Sequence, residues 1–508
     1  MSTKVRALTK GSILRIAEFF ANAVVGLAMM PFIIHSLGDR MYGLWMIVGS
    51  FLGFYGMFDF GLASAVQRYI SRAVGNKDHE EINKVMNTSL FLFTAIGVVT
   101  LLITAIIVIF VTFFSKNISE INIFRQVIII LGLSIATGFP MRVFSAILLS
   151  NLRYDIYTFV EMAKLLVRTV LAVIFLKAGY GILALALITF GVEFAGYIFR
   201  FILVKVMFKY IILSRTLIDK ARIKPLFKYS IVTFSIQISD RLRSSVDNFV
   251  IAAFLGLNFV TPYAIAFNLK QYLGKFITSA MDLTMPVFSQ YEAKGDYKSI
   301  REKFMFITKL SSYLSILVGG TLIIFGKAFI ARWVGEKYLS SYPILVVLVV
   351  PAIIASMQTP SVQLLYGISK HKFYAISNAV EGVANFILSL ILVRKFGIMG
   401  VALGTAIPMV VIKFFVQPVY TCRAIRLNVY RYYFVLIMPV ILKSCSILVV
   451  FWFLCKNFII PNYLHLLVFV SCEFILFTVI IFLAGLTNIE REYFQKAFFS
   501  KHNLVSET

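Results

Sequence analysis

Apolar runs recur along the whole chain. They lie near 12–35, 43–65, 88–113, 126–149, 155–177, 181–204, 229–255, 260–284, 305–329, 342–366, 373–393, 397–419, 433–455 and 463–485. A bilayer core takes about 20 helical residues per crossing, so the pattern predicts about 14 transmembrane helices. The longest polar connections, near 65–87, 205–228 and 286–304, are each too short to bury a core of their own. The fold class expected is therefore an all-α polytopic membrane protein.

Composition agrees with the pattern. Of 508 residues, 60% are hydrophobic, 15% aromatic and only 14% charged, and mean hydropathy is +0.89. Soluble domains carry about a quarter charged residues. Lys and Arg number 49 against 23 Asp and Glu, for a net +26. The excess is spread between apolar runs, so it marks membrane topology and not nucleic-acid binding. Lys and Arg collect in alternate short loops, which sets orientation. The N-terminus holds Lys4, Arg6 and Lys10, and the second connection Arg68, Arg72, Lys77 and Lys84. The sixth holds Lys209, Arg215, Lys220, Arg222, Lys224 and Lys228, and the eighth Lys294, Lys298, Arg301 and Lys303. Lys370 and Lys372 mark the tenth, Arg423 and Arg426 the twelfth, whereas 256–259 has none. Both termini are expected in the cytoplasm. Cys422, Cys445, Cys455 and Cys472 lack metal spacing and read as membrane-core residues. The first apolar run is too long for a cleaved signal peptide.

The chain also resembles itself at an offset of 218. Leu37-Gly38 matches Leu255-Gly256, Ser71 matches Ser289, Asp78 matches Asp296, and Ile82 matches Ile300. With a slip of two, Tyr154 matches Tyr374 and Val160-Glu161 matches Val380-Glu381. A six-helix repeat gives two copies of the same orientation, an arrangement common in secondary transporters. The expected organisation is an N-terminal lobe over 1–204, a basic cytoplasmic linker over 205–228, a C-terminal lobe over 229–425, and two extra helices with a tail over 426–508.

A charge inside the bilayer costs about 2.5–3.5 kcal/mol on insertion scales, so the many charges here must face protein or water. In the seventh span Asp240, Arg243 and Asp247 fall at i, i+3 and i+7 beside Arg241; the eighth carries Asn268, Lys270, Gln271, Lys275 and Asp282. Glu161, Lys164 and Arg168 share one face of the fifth span, and Asn378, Glu381 and Asn385 one face of the eleventh. Two readings are open. The charges are structural pairs between helices, or they line a hydrated cavity that attracts an anion such as phosphate. On the second reading Arg241, Arg243, Lys270, Lys275, Lys164 and Arg168 are the substrate-binding candidates. Asp59, Glu161, Asp240 and Glu381 are then candidates for carrying a coupling ion. Arg68, Arg142, Arg153 and Arg200 lie near span ends and read as snorkelling residues. Walker A, HExxH, GxSxG and zinc spacings are absent from the sequence. No catalytic residue, metal or cofactor is therefore expected, and no connection has room for a nucleotide-binding domain.

The segment GSILRIAEFFANAVVGLAMMPFIIHSLGDRMYGLW, followed by MFDFGLASAVQRYISRAVGNKD, resembles bacterial polysaccharide-export flippases of the Wzx type, within the MATE-like superfamily. Leu37-Gly38, Tyr42-Gly43-Leu44-Trp45, Asp59 with Gly61, and Arg68 carry the likeness; Pro286, Gly295-Asp296, and Glu381 with Asn385 extend it. The resemblance covers the first twelve spans. It implies a flippase of the bacterial inner membrane for undecaprenyl-diphosphate-linked oligosaccharide, used in O-antigen or capsule assembly and driven by a proton or sodium gradient. Polysaccharide polymerase and chain-length machinery are the partners it implies, with the bilayer itself. A multidrug or cation antiporter of the same fold is the rival, disfavoured by the bases of spans seven and eight. A membrane-embedded glycosyltransferase or ligase would need a large external loop, which the sequence lacks.

Overall fold

The computed structural model describes residues 3–110, 118–226, 246–458, 460–488 and 490–492. Among these there are helices and turns and no strand. The helices are α1 (Thr3–Tyr55), α2 (Leu62–Gly75), α3 (His79–Phe110), α4 (Ile118–Ser150), α5 (Tyr154–Lys177) and α6 (Gly181–Met207). Then come α7 (246–254), α8 (Val260–Met281), α9 (Met285–Ala293), α10 (Tyr297–Trp333), α11 (Ser341–Met357) and α12 (Thr359–Gly367). The last four are α13 (Lys372–Val410), α14 (Gln417–Ala424), α15 (Met438–Cys455) and α16 (Tyr463–Ile480).

Nine helical stretches among the described residues are long and apolar enough to cross a membrane. Two of them, Phe20–Asp59 and Lys372–Ala424, are long enough to cross twice. Each is broken at a glycine outside helical geometry, Gly38 (φ 73°, ψ 166°) and Gly397 (φ 56°, ψ −136°). α5 is long enough to span, but Glu161, Lys164 and Arg168 reduce its hydropathy; Asn268, Lys270, Gln271 and Lys275 do the same in α8. Outward faces are apolar, as lipid requires: Leu102 is 62% exposed and Ile109 67%. The expected polytopic all-α fold is thus present.

The chain packs as two compact units, Met1–Thr261 and Pro262–Thr508. The break falls after the seventh span, because 246–261 is tied into the first unit. Asn248 donates to Ser50 Oγ at 2.9 Å and Thr261 to the Asp39 carbonyl at 2.7 Å. Unit 1 is closed by α3, α4 and α6 around Phe93, Phe139, Phe144 and Val204. α3 and α4 touch so closely that a Cβ on Gly97 would lie 2.6 Å from the Ala136 carbonyl oxygen. The segment after α6 is strapped along α3 at 210–214: Asn83 and Asn87 donate to the Tyr210 and Ile212 carbonyls, each at 2.8 Å. Their side-chain oxygens accept from the Ile212 and Ser214 amides at 2.8 and 3.0 Å. Unit 2 is centred on Phe288, Phe304, Leu364, Cys422 and Tyr432.

The internal repeat is legible in backbone hydrogen bonds. In unit 1 Lys77 (φ 56°) donates to the Val74 carbonyl at 3.1 Å and Asp78 to that of Ala73 at 3.0 Å. In unit 2 Gly295 (φ 68°) donates to Glu292 at 2.9 Å and Asp296 to Tyr291 at 3.0 Å. All four residue pairs keep the offset of 218. Each aspartate then caps the following helix, accepting from Glu81 N at 2.9 Å or Ser299 N at 3.0 Å. Ser71 Oγ donates to Ser150 Oγ at 3.0 Å, and Ser289 Oγ to the Gly367 carbonyl at 3.1 Å. Several described connections turn on positive-φ residues: Gly38, Gly179 and Gly181, Gly256, Gly295, Gly335 and Gly397 at six of them, and Lys77, Leu152, Ser369 and Arg426 at four others.

Candidate functional site

Unit 1 concentrates six charged side chains between α4, α5, α6 and the broken end of the second span. That span ends in a 3₁₀ turn, Gly56–Asp59, followed by left-handed Phe60 (φ 49°) and Gly61 (φ 75°). The break points Asp59 inward, where it is 6% exposed. Its Oδ1 accepts from Gly61 N at 2.7 Å and its Oδ2 from Arg142 Nη1 at 2.8 Å. Arg142 lies over the Phe139 ring at 4.6 Å.

Glu161 is the hub of the second part. It pairs with Lys164 at 3.0 Å and with Arg200 through a close ion pair. Lys164 also reaches Glu193 on α6 at 2.7 Å. Arg200 Nη1 donates to Ser145 Oγ at 2.7 Å, and its guanidinium lies 5.5 Å from the Tyr157 ring centre and 5.9 Å from that of Tyr197. Two glycines admit these side chains. A Cβ on Gly196 would lie 2.6 Å from Lys164 Cδ, and one on Gly138 would lie 2.5 Å from the Tyr197 hydroxyl. Three acids (Asp59, Glu161, Glu193) face three bases (Arg142, Lys164, Arg200), so this network is balanced and not cationic. Arg168 follows Lys164 on α5, half-buried.

An apolar groove of about 920 Å³ opens between α5 and α6 with Lys164 in its wall. Val167, Leu171, Phe175, Leu187 and Phe199 line it. From Val160 to Phe175 it follows α5 for about 22 Å at 1.5 Å per residue, most of a hydrocarbon core about 30 Å thick. Small residues, Gly191, Ala195 and Gly196, make the α6 wall shallow. A charged network and a hydrocarbon-lined groove thus adjoin at one lysine.

Unit 2 holds a different acid–base pair. Lys413, on a π-helical turn at Val411–Val416, lies 3.3 Å from Glu381 and donates to Asn378 Oδ1 at 2.6 Å. Glu381 and Lys413 are 1% and 3% exposed. Asn385 Oδ1 accepts from Ser389 Oγ at 3.0 Å and Thr405 Oγ1 at 3.4 Å. Lys270 is half-buried over the Phe267 ring at 4.9 Å, whereas Lys275 is exposed. Asp282 Oδ1 accepts from Gln363 at 2.7 Å. Asp240, Arg241 and Arg243 lie outside the described residues.

Glu161 and Lys164, which periodicity places on one face of α5, form an ion pair. The roles of Arg142 and Arg200 were missed: both read as snorkelling from sequence, yet Arg142 pairs with Asp59 and Arg200 is 5% exposed. A signal for Arg200 was available, because Glu193, Tyr197 and Arg200 fall at i, i+4 and i+7 on α6. Among the described residues no cluster of His, Cys, Asp or Glu has the makings of a metal site.

The sequence pattern of a family described as polysaccharide biosynthesis protein matches residues 37–343. A protein of Shigella flexneri named as an O-antigen transporter is 23% identical over 429 residues, covering 82% of this chain and 98% of that one. Among solved structures, the lipid II flippase MurJ in an inward closed conformation superposes with a TM-score of 0.72 at 16% identity, covering 96% of this chain and 99% of that one. An inward-facing multidrug resistance MATE family transporter of the MOP superfamily gives 0.70 at 17% identity, covering 82% and 98%. These two likenesses establish a shared fold. With the family pattern spanning more than half its length, the chain belongs to the polysaccharide biosynthesis protein family.

Proposed function

We propose that the protein flips undecaprenyl-diphosphate-linked oligosaccharide repeat units from the cytoplasmic to the periplasmic leaflet of the bacterial inner membrane. At the coarser level the chain is a membrane flippase or transporter for lipid-linked polysaccharide, not an enzyme. The observation that carries the finer reading is the junction at Lys164. A lipid-linked glycan has a hydrocarbon tail, a charged diphosphate and a polar sugar. The α5–α6 groove suits the tail, and the network beside it supplies polar groups where the headgroup would pass. Alternating access moves the substrate, with a proton or sodium gradient as the driving force and Asp59 or Glu161 as carrier. Polymerase and chain-length proteins take the product on the periplasmic side, and both termini stay in the cytoplasm.

The test is reconstitution. Vesicles containing the protein and a fluorescent polyprenyl-diphosphate glycan should expose the glycan to an external, membrane-impermeant quencher faster than protein-free vesicles. Lys164→Ala should slow this about tenfold while keeping the helical circular dichroism of the parent. Unchanged rates in protein-containing and protein-free vesicles would refute the reading. The balanced charge of the network also suits a lipophilic-cation antiporter, so ethidium extrusion in the same vesicles decides between the two.

A further inference from the structure

A second cavity lies in unit 2, far along the chain from the α5–α6 groove. It has a volume of about 610 Å³ and forms where three distant segments meet: the first third of α10, a π-helical turn at Arg431–Ile437, and the start of the segment at Thr487. Each carries an irregularity or a cap. The π-turn at 431–437 bulges one wall, and a further π-turn, Ile481–Gly485, precedes the third segment. Such bulges cluster at functional sites. Thr487 and Glu490 cap each other: Thr487 N donates to Glu490 Oε2 at 2.7 Å, and Glu490 N to Thr487 Oγ1 at 3.4 Å. Lys309 of α10 holds the same Glu490 oxygen at 2.7 Å, locking the cap against the cavity wall.

The lining is amphipathic. Lys303, Lys309 and Arg431 supply positive charge, Glu302 and Glu490 negative, and Phe306 and Val435 an apolar flank. The Lys309–Glu490 pair cancels internally. Three bases against two acids leave the lining with one net positive charge, which matches one phosphodiester. The apolar flank continues outward through Phe434 and Val435, 55% and 60% exposed, the surface an acyl chain needs beside its headgroup. The basic-loop pattern independently assigns all three segments to one side of the membrane, where headgroups lie.

We propose that this cavity binds the headgroup of an anionic glycerophospholipid, with Arg431 and Lys303 on its phosphate and an acyl chain along Phe306 and Val435. The inference does not rest on the transported substrate. Arg431 is exposed and its guanidinium grips phosphate bidentately, whereas the Lys309–Glu490 pair shapes the wall.

The experiment uses the full chain in detergent, incubated with dioleoylphosphatidylglycerol, dioleoylphosphatidylcholine or inorganic phosphate. Bound lipid is counted by native mass spectrometry, and stability is followed by thermal melting. The wild type should retain phosphatidylglycerol in preference to phosphatidylcholine and melt higher with it. Arg431→Ala combined with Lys303→Ala should lower phosphatidylglycerol retention about tenfold, and Arg431→Lys should keep part of it. Equal retention of the two lipids by the wild type would overturn the proposal, as would an unchanged preference in a folded double variant. A melting shift reproduced by inorganic phosphate alone would assign the cavity to a soluble anion and overturn the lipid assignment.

Discussion

Glu161 is where the network of unit 1 is most exposed to test. It holds Lys164 at 3.0 Å and Arg200 by a close ion pair, and Arg200's side chain is only 6% exposed. Glu161→Gln removes the carboxylate but leaves both cations in place. Lys164 keeps Glu193 at 2.7 Å; Arg200 keeps only the Ser145 hydroxyl and two aromatic faces. Breaking a buried pair costs about 3–5 kcal/mol. Glu161 retains 23% side-chain exposure, so the expected loss sits at the lower end, about 3 kcal/mol. Glu193→Gln should cost less, about 1 kcal/mol, because Lys164 still has Glu161. Unfolding by sodium dodecyl sulfate in mixed micelles, followed by circular dichroism, measures both. Adding Arg200→Met to Glu161→Gln should recover part of the loss, with a coupling of about 1–3 kcal/mol. Equal effects of the two glutamine substitutions, or no coupling with Arg200, would refute Glu161 as the hub.

Two further expectations follow from unit 2. Lys413→Met alone removes the cation paired with Glu381, which is 1% exposed, and should destabilise by about 3–5 kcal/mol, whereas Lys413→Met with Glu381→Leu should lose much less; the same unfolding titration checks this. The Ser299 hydroxyl (2.6 Å) and backbone amide (3.0 Å) hold the Asp296 carboxyl below its usual range. A depressed folded value means this cap stabilises fully above the unfolded pKa of about 3.9 and is lost as pH falls through the lower folded value. Melting of the wild type should therefore decline more steeply below about pH 4 than that of Asp296→Asn, and identical slopes would refute the assignment.

The features legible in the sequence are those set by local periodicity. Span positions followed from apolar length, and Glu161 with Lys164 from three-residue spacing on one helix. The repeat was legible because its corners need particular residues: Gly38 and Gly256 share a backbone shape (φ 73°, ψ 166° and φ 97°, ψ 168°) closed to other side chains. What could not be read depends on which helices meet. Nothing local links Asp59 to Arg142, 83 residues away, or Lys309 to Glu490. The fate of Arg200 was misread for the same reason: distance from a span end suggests headgroups until Glu161 is known to lie opposite. The Asn83 and Asn87 strap on 210–214 was likewise hidden, since two asparagines one turn apart look like ordinary helix-surface polarity.

The positive-φ glycine corners have a mechanical consequence. Where successive spans are joined by little more than a glycine, as at Gly38 and Gly397, the hinge has no slack. One residue inserted in the helix just past such a corner would rotate every later side chain of that span by about 100°, turning outward-facing residues such as Ile407 inward. At those two corners neither of the paired spans can lengthen without disturbing its neighbour.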